Sequence, residues 1–218
     1  MLSHLDRSLF PDRCEVIEVI PSQRYVYPIF KNGSSNIYIT AQKKNWRIRF
    51  NEQIQRIDSI DVIIRNPQQR LISGINTFIE STIRDNPTLD TATVQWFALN
   101  YLYLNNHYCP QFMWLVNLSR FVNSNATLNF LAMSDLDSIT DYKGSLHFET
   151  IPDQLVAQVN QLSTTEMYQR IDSVVFDAIG QSMTVGQLWK LVKDTDPDAY
   201  NYVVGYAQQL LKTTYVLS

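Results

Sequence analysis

The chain has 218 residues, 45% hydrophobic and 18% charged, enough for one sizeable core and too apolar for a disordered segment. Its net charge of -3 argues against a general nucleic-acid binder, which is usually basic. Two cysteines, Cys14 and Cys109, are too few for a disulfide framework or a four-thiolate metal centre, and six Gly and eight Pro leave little for a long linker. A single domain over residues 1–218 is the expectation.

Two short runs, Val16 to Ile20 and Tyr25 to Phe30, are rich in β-branched or aromatic residues and bounded by turn formers, which predicts strands. The second leads through Lys31-Asn32-Gly33-Ser34-Ser35 into a helical candidate over Asn36 to Lys44. The run Lys43 to Arg49 carries four cations in seven residues and reads as a solvated segment, with attraction of an anion as the alternative. Ile60 to Ile64 is nearly continuous in apolar character, as a buried parallel strand should be. Asn66-Pro67 then supplies an N-cap and a first helical residue, and Leu71, Ile72, Ile75, Phe78 and Ile79 recur at helical spacing. Thr91 to Leu104 predicts a second helix and Leu128 to Met133 a further strand. Gln154 to Leu162, Thr165 to Ile179, Val185 to Val192 and Ala199 to Leu211 predict a helical C-terminal part. Strands alternating with helices point to a three-layer α/β sandwich with a mostly parallel sheet.

The strand–loop–helix around Lys31 has the chemistry of an anion cradle. Backbone N–H groups at a helix N-terminus and the helix dipole both favour negative charge. Gly33 permits close backbone approach, Ser34 and Ser35 add hydroxyl donors, and Lys31 adds a point charge. An ordinary surface turn is the alternative, since Asn-Gly-Ser-Ser is common turn composition. No Walker A order is present. A second donor set starts at Arg65, at the C-terminal end of the predicted buried strand, where open α/β sheets make ligand contacts. Ser73 and Arg70 follow on the next helix.

Phe30-Lys31-Asn32-Gly33-Ser34-Ser35 resembles the 5′-phosphosulfate loop of sulfotransferases that use adenosine 3′-phosphate 5′-phosphosulfate (PAPS). Val62 to Ser73 is similar to the 3′-phosphate motif, Val-x-Arg-Asp-Pro-x-x-Arg-x-x-Ser, of the carbohydrate (Golgi-type) members. Asn106-His107-Tyr108-Cys109-Pro110-Gln111 is similar to their His-Trp-x-Pro-Gln element. The resemblance spans residues 24–135. It departs from the family in placing Pro at Pro28 rather than beside Lys31, in Asn66 where Asp is usual, and in a shorter gap between the two motifs. It implies a nucleotide-kinase-like fold and sulfuryl transfer from PAPS to an acceptor hydroxyl or amine, with a glycan as the acceptor suggested by the family. By the resemblance, Lys31, Gly33, Ser34 and Ser35 bind the 5′-phosphosulfate and Arg65 and Ser73 the 3′-phosphate, with Asn32 and Asn36 of the same loop as further cofactor-binding residues. Arg70 matches a recurrent motif position for which a structural role is one reading.

In-line transfer asks for stabilisation of charge on the bridging oxygen, for which Lys31 is the candidate, and for a base to take the acceptor proton. His107 is the leading candidate for that base, with a loop-holding role as the alternative; His4, His147 and Glu80 follow. Trp46, Trp96, Trp114 and Trp189 are expected in the core. No His, Cys or carboxylate spacing suggests a metal. No run reaches the roughly twenty apolar residues of a membrane span, and residues 1–13 lack the apolar run of a signal peptide. A soluble, cytoplasmic relative, bacterial or viral, is therefore expected, with neither nucleic acid nor membrane as partner. The rival readings are a non-catalytic nucleotide-binding module of the same fold and a nucleotide kinase-like phosphotransferase.

Overall fold

The computed structural model describes residues 14–20, 22–101, 105–140, 152–161 and 163–205, with backbone alone for 163–168. Among them β1 (Glu15–Val19), β2 (Arg24–Tyr27), β3 (Arg47–Phe50), β4 (Ser59–Ile64), β5 (Thr127–Ala132) and β6 (Ser182–Thr184) form one sheet in the order β3-β1-β2-β4-β5-β6. Between them lie α1 (Ser34–Lys43), α2 (Pro67–Asp85), α3 (Thr91–Asn100), α4 (Gln111–Ser119), α5 (Leu136–Ile139), α6 (Asp153–Gln161) and α7 (Ser163–Asp177). α8 (Val185–Thr195) follows β6, and a further helical segment covers 197–205.

Alternation along β4 splits the core into two. Ile60, Val62 and Ile64 face a large cluster shared with α2, α3, α4, α6, α7 and α8. Ile63 turns the other way, into a smaller cluster with Ile37 and Ala41 of α1 and Leu136 and Ile139 of α5. Helices therefore cover both faces, unequally. Burial on both sides is what a nearly continuous apolar strand requires.

The sheet is mixed, which corrects the expectation of a mostly parallel one. β2, β4 and β5 are mutually parallel and central, whereas β1 pairs antiparallel with both β2 and β3, and β6 pairs antiparallel with β5. β1 and β2 are joined by a short connection, and short connections make antiparallel pairs. β3 lies inside the basic run that reads as solvated surface, at the edge of the sheet. Its Arg49 Nε donates to Glu18 at 2.8 Å. Charged side chains on an edge strand keep it from pairing with another chain.

α2 begins as its sequence dictates. The Asn66 side chain accepts the Gln69 backbone N–H at 3.1 Å, and Pro67 occupies the first helical position, where a missing N–H costs nothing. No helix among the described residues is long and apolar enough to cross a membrane. Trp46 is buried, with its Nε1 donating to the Ile20 carbonyl at 2.9 Å. Trp114 and Trp189 pack against the core, but Trp96 is 58% exposed on α3, contrary to the expectation of four core tryptophans.

Candidate anion site at the strand ends

β2 and β4 run parallel as neighbours, so the loops that follow them leave the same edge of the sheet. The loop after β2 carries Lys31 to Ser35, and the residue after β4 is Arg65. The two meet: Arg65 Nη1 donates to the Lys31 backbone carbonyl at 3.1 Å. Lys31 and Arg65 are both half-buried. Lys31 adopts φ 68°, left-handed backbone that side chains with a Cβ seldom take, and its Nζ donates to Thr77 Oγ1 on α2.

Gly33 is the N-cap of α1 with φ 77°. The Ile37 N–H closes the first helical turn onto the Gly33 carbonyl at 3.2 Å. By helix geometry the N–H groups of Gly33, Ser34, Ser35 and Asn36 then lack partners within the helix. No described side chain caps them, and no acidic residue stands in the first turn of α1 or of α2. The donors near this edge are thus cationic or N–H and O–H groups, a set suited to an anion. Ser34 is buried, Ser35 exposed and Asn36 half-buried. One surface of the cradle is closed: a Cβ at Gly33 would lie 2.5 Å from Leu136 Cδ2, so α5 fills the space that a ligand approaching that side would need.

α2 lies along the loop with a face of regular spacing. Arg70, fully buried, donates from Nε to the Phe30 carbonyl at 3.1 Å and from Nη1 to the Cys109 carbonyl. Thr77, two turns on, receives Lys31. Ser73 and Gly74 sit between them on the same face. A Cβ at Gly74 would come within 2.2 Å of the His107 carbonyl oxygen, so α2 and the 105–110 loop touch backbone to backbone there. Ser73 is buried, 8% exposed. Arg70 is a structural tie, as one reading of its motif position had it.

His107 lies against Phe30, ring centroids 5.5 Å apart, which puts it beside the residue that precedes Lys31. Its Nδ1 is 2.9 Å from Asn105 Oδ1. A carbonyl oxygen there accepts, so in the neutral ring Nδ1 carries the proton and Nε2 the lone pair. Glu80 accepts from Asn76 Nδ2 at 2.9 Å, on the same helix and one turn away. His4 and His147 lie outside the described residues.

Two residues that sequence reasoning missed knit the site together. Gln111, fully buried at the start of α4, accepts at Oε1 from Asn32 Nδ2 at 2.6 Å and from the Arg65 N–H at 2.9 Å. Its Nε2 donates back to the Arg65 carbonyl at 2.9 Å. Asn32 Nδ2 also reaches the Ile63 carbonyl at 2.8 Å, so Asn32 braces the loop from within rather than facing a ligand. Asp172 of α7 accepts the N–H groups of Gln111 at 2.8 Å and Phe112 at 3.0 Å, capping α4 from another helix. Burial pushes its carboxyl up to about 6, outweighing Arg70 and the two backbone donors. The one signal in the sequence was Gln111 itself, the last residue of the His-x-x-Pro-Gln element. Asp172 sits in a helix that matched no motif.

The basic run does not join this site. Arg49, with Tyr25, Glu52, Gln53, Arg56 and Ile57, lines a different cleft of 430 Å³. Cys109 is buried, and burial pushes its thiol up to about 12, which leaves it no nucleophilic character at neutral pH. Neither protein-family models, nor curated proteins, nor solved structures gave a match to this chain.

Proposed function

We propose that the crevice beyond the C-terminal ends of β2 and β4 binds an adenosine 3′,5′-bisphosphate nucleotide, and that the chain is a PAPS-dependent sulfotransferase acting on a hydroxyl or amine. A sugar is the acceptor class suggested by the motif resemblance. One observation carries the reading: Arg65 and Lys31, 34 positions apart, meet at 3.1 Å at neighbouring parallel strand ends. Two donor clusters there are near enough to grip opposite phosphates of one nucleotide. A nucleotide-kinase-like arrangement built on β2, β4 and β5 belongs to the same proposal. So does a cytoplasmic location.

In this reading Lys31, Ser34, Ser35 and the N–H groups of the first turn of α1 hold the 5′-phosphosulfate. Asn32, Gly33 and Asn36 shape the loop, while Arg65 and Ser73 hold the 3′-phosphate. The bound co-substrate supplies the sulfuryl group. Lys31 Nζ, released from Thr77, meets the charge left on the departing phosphate oxygen. His107 Nε2 takes the acceptor proton as the acceptor's oxygen or nitrogen bonds to sulfur and the bond from sulfur to the bridging phosphate oxygen breaks.

A second reading, a non-catalytic nucleotide-binding module, draws support from the candidate bases. Glu80 is bonded to Asn76, and the His107 ring is packed on Phe30 and held by Asn105. A nucleotide kinase-like phosphotransferase lacks support because no Walker A loop is present. The test is release of adenosine 3′,5′-bisphosphate from PAPS in the presence of sugar and amine acceptors. The parent protein turns over, and His107→Ala loses about 100-fold or more. Unchanged turnover in His107→Ala removes that residue from the mechanism. Nucleotide binding without turnover favours the module.

A further inference from the structure

Asp172 is one of the fully buried polar groups among the described residues that the proposed chemistry does not use. It is fully buried on α7, and its two carboxylate oxygens are each taken by a backbone N–H, of Gln111 and of Phe112. A carboxylate in that position complements the positive end of α4 and fixes where the helix starts. The residue whose start is fixed is Gln111. Its side-chain amide makes three bonds, one to the loop at Asn32 and two to the backbone of Arg65. An Asp therefore holds a helix end, the helix end holds an amide, and the amide spans the gap between the two donor clusters.

We propose that Asp172 is a positioning residue for the anion site: through the N-terminus of α4 and the Gln111 amide it sets the spacing between the Lys31–Asn36 loop and Arg65. The consequence for ligand binding rests on the nucleotide reading above; the positioning itself does not. In a buried polar network each bond supports its neighbours, so loss of one member loosens the rest; the Asn32 side chain is held through its two Nδ2 bonds alone, its Oδ1 being buried without a partner.

The charged and titratable groups around Asp172 are few. Arg70 faces it from α2 and favours the carboxylate, while Cys109 faces it from the 105–110 loop. α4 contributes backbone N–H groups and the neutral Gln111 side chain. The charged residues described on α6 and α8, namely Asp153, Lys190, Lys193 and Asp194, are all exposed. With the carboxyl pushed up to about 6, it is charged above that pH and protonated below it. Protonation removes the charge at the start of α4, so the spacing relaxes as the pH falls.

The experiment is amide NMR on the full, ligand-free chain and on Asp172→Asn, followed by titration of both with adenosine 3′,5′-bisphosphate. In the variant the Arg65 N–H and the side-chain amide signals of Asn32 and Gln111 shift together, and nucleotide affinity falls about fivefold or more. Unmoved Arg65 and Asn32 signals in a folded Asp172→Asn protein overturn the proposal, whether or not the parent binds nucleotide. Shifted signals in a parent that binds no nucleotide uphold the positioning role and overturn the nucleotide reading instead. Should Asp172→Asn not fold, the parent is titrated from pH 5 to 8, and again as His107→Gln to remove the imidazole. A single shared midpoint for Gln111, Phe112 and Arg65 supports the linkage, and separate midpoints contradict it.

Discussion

Lys31 and Arg70 are both cations near one loop, and their surroundings give them opposite jobs. Arg70 is fully buried and spends its donors on the carbonyls of Phe30 and Cys109, so it holds the loop. Lys31 is half-buried, and its side chain meets a neutral hydroxyl on Thr77, a partner that an anion can replace. The backbone at Lys31 is left-handed, a conformation that costs an L residue roughly 1–2 kcal/mol and glycine almost nothing. The two truncations Lys31→Ala and Lys31→Gly lose the same amine but differ in this strain. Denaturant unfolding should find Lys31→Gly more stable than Lys31→Ala by about 1 kcal/mol. Equal stabilities, or a more stable alanine variant, would mean that the loop does not hold Lys31 at positive φ. The charge at Lys31 was legible in the sequence, as a Lys before Asn-Gly-Ser-Ser. Its backbone was not, because neighbours rather than the residue itself impose that conformation.

At the scale of elements, α2 connects the site to the core, and its close contact with the 105–110 loop depends on Gly74. Alanine in a helix interior is ordinarily favoured over glycine by about 1 kcal/mol. Here the added Cβ would sit 2.2 Å from a backbone carbonyl oxygen that cannot swing aside. Gly74→Ala should therefore destabilise the protein by about 1–3 kcal/mol, read by thermal or denaturant unfolding. A variant as stable as the parent would contradict the backbone contact. Local signals predicted the frame of this region well. β4 is continuous in apolar residues, Asn66 caps, Pro67 starts the helix, and the buried face of α2 recurs at helical spacing. β3 stayed hidden because its alternating arginines suit an edge and look like solvated surface. β6 is three residues long and has no pattern to read. α4 also went unpredicted, although Gln111, its first residue, had been singled out for another reason.

For the molecule as a whole, the two segments around Lys31 and Arg65 singled out in the sequence converge because their strands are parallel neighbours, a relation that a strand–loop–helix pattern can predict. What clamps them could not be predicted. Asp172 lies 61 residues beyond Gln111, in the helical C-terminal part that resembled nothing, and it acts on the site only through the packing of α7 on α4. The mixed sheet has the same origin, since the antiparallel flanks depend on how distant segments return to a parallel centre. In the proposed function Lys31 and Arg65 hold one nucleotide between them. Calorimetric titration of adenosine 3′,5′-bisphosphate into the parent, Lys31→Ala and Arg65→Ala tests that claim most directly. Charge-assisted hydrogen bonds of this kind contribute about 1.5–3 kcal/mol each, so each variant should bind about 10- to 100-fold more weakly than the parent. A parent that does not bind, or variants that bind as tightly as the parent, would contradict it.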